Sequence, residues 1–205
     1  MGNPVRRGIE SPADRSEALR HFKLDERKAT VLVVGGSLGA RTFNRAMRDS
    51  TKLIKNSDAQ FIWQIGNGNF DDFKICKTAQ LDNVIPLAFL DRMDLAYAAA
   101  DVVIARAGAL TISEMSVLGK ATLLIPSPNV SEDHQTKNAM ALVNRNAANI
   151  LSDDKCLDEM IGTVLKMLKD QEGLDEMRKN IKALSKPNAT NDIADKVHDV
   201  LRFGI

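Results

Sequence analysis

At 205 residues and 44% hydrophobic side chains, the chain can bury one sizeable core, and its length alone argues for a single globular domain. Its 28 basic and 27 acidic residues nearly cancel, which excludes the broad positive surface needed to neutralise many phosphates of a nucleic acid. Cys76 and Cys156 stand far apart, with no Cys-x-x-Cys pair and no His-rich tract, which argues against a disulfide framework, a zinc site or a redox motif and fits a reducing cytoplasm.

Residues 1 to about 20 are polar, proline-containing and without periodicity, so they are expected to be the remnant of a linker, followed by one domain over 21–205. The chain is expected to begin where another domain would end. Met1 to Arg6 lack an apolar signal region, and no later run approaches membrane-spanning length.

Thr30 to Val34 is a β-branched, continuously apolar run ending at Gly35-Gly36, the pattern of a strand buried on both faces. From Ala40 to about Ile54, apolar residues recur at helical spacing among charged ones, which predicts one helix. Further strands are predicted over Gln60 to Ile65, Asn83 to Leu87, Val102 to Ala105, Thr122 to Ile125 and Ala148 to Leu151. Helices are predicted over Met93 to Ala100, Leu110 to Leu118 and His134 to Asn144, and the remainder is largely helical. Repeated strand-helix units predict an α/β fold with a doubly wound parallel, Rossmann-like sheet, whose aromatic-poor core rests on Val, Ile, Leu, Ala and Met.

Gly35-Gly36-Ser37-Leu38-Gly39-Ala40 joins the first strand to the first helix, where glycines permit a tight turn and let backbone N–H groups approach a phosphate. The spacing is neither the dinucleotide fingerprint nor a P-loop, and by itself it also fits a connection that binds nothing. Arg106 to Glu114 follows another strand and opens another helix, so a second helix N-terminus faces the same sheet edge, and two such ends could share one diphosphate.

Glu114, about one turn into that helix, suits the two vicinal hydroxyls of a ribose, although a first-turn carboxylate also serves the helix dipole. Asp133-His134-Gln135 opens a third helix and offers donors and acceptors suited to sugar hydroxyls. No Asp-x-Asp pair or metal-spaced cluster is present, so no metal site is expected. The C-terminal lysines and arginines read as solvated helix faces.

Four blocks carry a resemblance: Gly35 to Arg41, Phe89-Leu90-Asp91-Arg92-Met93, Arg106 to Glu114 and His134-Gln135-Thr136. In order and spacing they resemble the C-terminal half of the MurG-type glycosyltransferases, and Gly2 to Arg6 looks like the segment that joins that family's two domains. The resemblance implies a GT-B fold of two Rossmann-like domains, of which the donor-binding one is present here. It implies UDP-N-acetylglucosamine as donor, no tightly bound cofactor, and transfer of N-acetylglucosamine to lipid-linked muramyl-pentapeptide, lipid I to lipid II, in peptidoglycan synthesis. The acceptor site and the contact with the cytoplasmic face of the inner membrane would belong to the N-terminal domain.

By that resemblance, Ser37 and Arg6 would contact the diphosphate and Leu90 would lie beside the uracil. Ala109, Leu110, Thr111, Ile112 and Ser113 would supply the helix N-terminus under the phosphates, Glu114 would hold the ribose, and Gln135 would meet the sugar. The catalytic base would lie in the other half, so this half would act by stabilising the leaving group. Gly36, Ser37 and Gly39 would donate N–H groups there, and Arg6 or Arg106 would add charge. Two rival expectations are a donor-binding subunit of a split N-acetylglucosaminyltransferase and a half-domain like that of a UDP-N-acetylglucosamine 2-epimerase. The Arg106 to Thr111 block looks more like the transferase.

Overall fold

Short apolar runs bounded by glycine, proline or polar residues form six strands: β1 (Thr30–Val34), β2 (Gln60–Gln64), β3 (Val84–Leu87), β4 (Val102–Ala105), β5 (Ala121–Leu124) and β6 (Asn149–Ile150). A computed structural model describes residues 2–6, 8–9, 13–128 and 133–203, the side chain of Phe203 excepted. Met1, Arg7 and residues 10–12 of the expected linker lie outside the described residues.

The strands form one sheet in the order β3-β2-β1-β4-β5-β6, every pairing parallel. All residues of β1, β2, β4 and β5 are buried, because helices cover both faces. Side chains alternate between two cores: Val31, Val33, Phe61, Trp63 and Ile104 enter one, and Leu32, Val34, Ile62, Val103 and Ala105 the other. The first core is closed by α2 (Arg41–Asp49), α3 (Thr51–Lys55) and α8 (Cys156–Lys169), with α2 packed along α8. The second is closed by α1 (Arg15–Phe22), α5 (Met93–Ala99), α6 (Ala109–Leu118) and α7 (His134–Val143). The short α4 (Phe70–Phe73) follows β2, α9 (Gln171–Ala183) packs on α6 and β5, and α10 (Ala189–Phe203) ends the described chain.

The structure corrects two expectations. The helix expected over 40–54 is broken at Ser50. There the Thr51 and Thr78 hydroxyls both donate to Arg48 O, at 2.9 and 3.0 Å, and draw that carbonyl out of the helical ladder. The stretch expected as linker also contains most of α1. Asp14 Oδ1 caps this helix by accepting from Glu17 N at 2.8 Å, and Ala18, Leu19 and Phe22 bury its inner face beside α5.

Lys120 follows the left-handed Gly119 that ends α6, and its Nζ donates to Ala100 O at 2.9 Å. Burial lowers its pKa from 10.5 to about 8. Between those values the unfolded chain keeps a proton that the folded chain has released, so this group adds stability as pH rises from about 8 to 10.5 and detracts from it below. Lys120→Met is therefore expected to raise Tm at pH 7 and to lose that advantage by pH 10.5, as parallel melts would show. An advantage independent of pH would contradict the assignment.

Candidate nucleotide-binding cleft

Strand order reverses between β1 and β4, and the connections leaving their carboxyl ends diverge to opposite faces of the sheet. Ligands of open parallel sheets settle at such a crevice. The cleft there has a volume of ≈ 150 Å³. Sites that enclose a drug-sized ligand run to about 300–1,000 Å³, so these residues form a wall rather than a closed chamber. A larger depression of ≈ 640 Å³ lies beside the amino ends of β1 and β2, among Ala29, Lys52, Leu53, Ala59 and Leu165, away from the residues singled out by sequence.

The first rim of the cleft is the turn after β1. Gly39 N–H donates to Gly36 O at 2.9 Å, closing a four-residue turn with Gly36 at φ +93° and Gly39 at φ +74°. Ser37 is exposed at its tip, and among the described residues neither Ser37 nor Leu38 gives its backbone N–H to another protein group. Gly36 and Ser37 line the cleft. Gly39 is a correction: its N–H is spent on the turn, and a Cβ there would stand 2.0 Å from Ile65 O. It is a glycine because backbone passes it closely, not because it serves a ligand.

The second rim is the start of α6. Gly108 is its N-cap and no side chain caps the helix, so its leading N–H groups remain available at the cleft. Thr111 and Glu114, three residues apart, share the cleft-facing side. Ala109 and Leu110 stand at the helix mouth, Leu110 being 46% exposed. Ile112 and Ser113 face a groove on the other side of α6, and Ile112 N–H is spent on Gly108 O at 3.0 Å. Ser113 Oγ donates back to Ala109 O at 3.0 Å and accepts from Asn3 Nδ2 at 3.4 Å.

Between the rims sits Glu114, whose side chain is only 2% exposed. Arg6 Nε donates to its Oε1 at 2.7 Å and the Tyr97 hydroxyl to its Oε2 at 2.9 Å. Burial first, then the charge of Glu114 and its hydrogen bond, raise the Tyr97 pKa far above the ordinary phenol value, so Tyr97 stays a donor. Arg6 thus reaches the cleft, with its Nε engaged by a carboxylate.

Arg106 also lines the cleft, yet it is not a spare cation. Its Nη1 donates to Asp153 Oδ1 at 2.6 Å and to Ile125 O and Pro126 O, both at 3.1 Å. Its guanidinium lies 4.5 Å from the centroid of the Phe43 ring. Asp153 balances its charge through Nη1, while its Nε and Nη2 hold no hydrogen bond among the described residues.

Leu90 is buried beneath the cleft, with Phe89, 47% exposed, and Met93 beside it, giving an apolar seat at one end. Gln135 and His134 open α7 outside this wall, and Gln135 Oε1 accepts from Ser127 N at 2.9 Å, bracing the loop after β5. Sequence reasoning missed Tyr97, read only as part of a helix, and Gln64, the last residue of β2. The signal for Gln64 was available: it is a polar residue ending an apolar strand at the carboxyl edge of the sheet.

This arrangement has close counterparts. Residues 30–196 match the model of the glycosyltransferase family 28 C-terminal domain. The chain is 45% identical over 197 residues to the UDP-N-acetylglucosamine--N-acetylmuramyl-(pentapeptide) pyrophosphoryl-undecaprenol N-acetylglucosamine transferase of Flavobacterium psychrophilum, covering 96% of this chain and 53% of that protein. It is also 45% identical over 201 residues to the protein of that name from Christiangramia forsetii, covering 98% and 54%. The crystal structure of Acinetobacter baumannii MurG superposes with a TM-score of 0.78 at 29% identity, covering 93% of this chain and 55% of that one. The chain spans about half the length of the curated relatives it matches. By the family match over most of its length, this chain belongs to the glycosyltransferase family 28 C-terminal domain family.

Proposed function

We propose that the chain is the donor-binding half of an inverting N-acetylglucosaminyltransferase and that its cleft holds UDP-N-acetylglucosamine. The observation that carries this reading is the convergence of unspent N–H groups, at Ser37 and at the start of α6, on either side of the buried Glu114. N–H groups suit a diphosphate, and a carboxylate with four lone-pair sites, two of them in use, can still accept from a ribose diol. The seat formed by Phe89, Leu90 and Met93 takes the base.

In the reaction, the acceptor hydroxyl attacks the anomeric carbon while UDP departs with charge growing on its diphosphate. The preorganised donors of Ser37 and α6 meet that charge, and a water-poor cleft strengthens them. Arg6 can keep its Nε on Glu114 while its Nη groups, which hold no hydrogen bond among the described residues, turn to the diphosphate. The names of the relatives supply the acceptor, a pyrophosphoryl-undecaprenol-linked muramyl-pentapeptide. Its binding, and attachment to the cytoplasmic face of a membrane, we assign to the half of those proteins that this chain does not span. Among the described residues no helix is long and apolar enough to cross a membrane.

Calorimetric titration with UDP-N-acetylglucosamine, UDP-N-acetylgalactosamine and UDP tests the reading. Saturable binding of UDP and of the N-acetylglucosamine donor is expected. Absence of heat and of any thermal shift with all three would refute it.

A further inference from the structure

Gln64 lies under the turn that carries Ser37. Its Nε2 donates to Gly36 O at 2.9 Å, the same carbonyl that accepts Gly39 N–H. Two donors on one oxygen fix the Gly36–Ser37 peptide plane. In a trans peptide the C=O and the N–H point in opposite directions, so a Gly36 carbonyl drawn inward sends the Ser37 N–H outward to the cleft. The reversed plane would place a carbonyl where the phosphate is expected, and would repel it.

The other atom of this amide gives the second observation. Gln64 is 3% exposed, and its Oε1 is buried without a hydrogen-bond partner although the residue lines the cleft. An unmet buried acceptor detracts from stability. A methionine of similar shape would avoid that loss, and Gly36 O would still accept from Gly39 N–H. Fold stability alone therefore does not account for an amide at this position.

We propose that Gln64 is a positioning residue for phosphate recognition: it orients the Ser37 N–H toward the diphosphate by holding the Gly36 carbonyl away from it. This rests on the nucleotide reading of the cleft. The uracil and ribose contacts assigned above lie on Phe89, Leu90 and Glu114, so the effect of Gln64 is confined to the phosphates.

The test compares UDP with uridine on this chain and on its Gln64→Met and Gln64→Glu variants, by calorimetry for UDP and ligand-observed NMR for uridine, with Tm recorded for each. For Gln64→Met the preference for UDP over uridine should fall about tenfold, as expected for loss of one charge-assisted hydrogen bond, with uridine affinity and Tm unchanged or Tm raised. Gln64→Glu should fall further, because a carboxylate cannot donate to Gly36 O and favours the reversed peptide. A Gln64→Met variant that keeps its full preference for UDP overturns the proposal. So does one that loses uridine binding and Tm together, since that marks a role in folding only. If the unsubstituted chain binds uridine and UDP equally, the phosphate reading of the cleft fails, and this inference with it.

Discussion

Glu114→Ala is expected to weaken UDP binding about 100-fold while uridine binding falls with it, because the substitution acts on the ribose. Two hydrogen bonds to an ionised acceptor contribute about 1.5–3 kcal/mol each, and the lower end of that range, about 3 kcal/mol for the pair, already exceeds 100-fold in affinity. The variant should also melt lower, since the buried Tyr97 hydroxyl and the Arg6 Nε lose their shared acceptor. Tyr97→Phe separates the two effects. It leaves the carboxylate and Arg6 in place, so UDP affinity should drop only a few-fold. An affinity within twofold of the unsubstituted chain in Glu114→Ala, measured by calorimetry on protein shown to be folded, would remove Glu114 from the site.

Gly39→Ala should cost far more stability than Gly36→Ala in the same turn. Its φ of +74° disfavours an L side chain by about 1–2 kcal/mol. The larger part is steric: the Cβ would stand 2.0 Å from Ile65 O, on a backbone that cannot withdraw freely. Asn44 Nδ2 holds that same oxygen at 2.9 Å, and Asn44 Oδ1 accepts from the buried Trp63 Nε1 at 2.9 Å. Retreat of Ile65 would therefore strain two buried hydrogen bonds. A loss of about 3 kcal/mol or more, or a fall in Tm on the order of 10 °C, is expected. Gly36→Ala is the control, because φ is +93° but no heavy atom lies within 4 Å of the added Cβ, so only the backbone cost of about 1–2 kcal/mol applies. Equal melting temperatures for the two variants would show that the close approach to Ile65 is not decisive.

The strands could be read from sequence because parallel strands buried on both faces are written as short β-branched runs, and those of Thr30–Val34 and Val102–Ala105 end at glycine or at the Arg106 block. The two rims could be read for the same reason: the segment that follows a strand and opens a helix is placed by the topology before any side chain is considered. What escaped depends on partners distant in sequence. The break at Ser50 needs Thr78 brought beneath Arg48, the neutralisation of Arg106 needs Asp153, and Glu114 meets Arg6 across 108 positions. Gly39 looked like a phosphate glycine because its spacing does not reveal that Ile65 passes beside it. The helix α1 was missed because its apolar face is only Ala18, Leu19 and Phe22, too brief for periodicity to stand out.

The pairing of Arg6 with Glu114 separates the limits of the fold from the limits of the site. The family match begins at residue 30, and a fragment cut there would retain all six strands and both rims of the cleft. It would lose Arg6, leaving Glu114 as a buried anion without its counter-ion, facing a ligand that is itself negatively charged. Such a fragment would carry the cleft with the wrong sign and its second core uncovered where α1 had packed, so an apparently inert domain trimmed to its recognisable core would testify to where it was cut, not to what the cleft can hold.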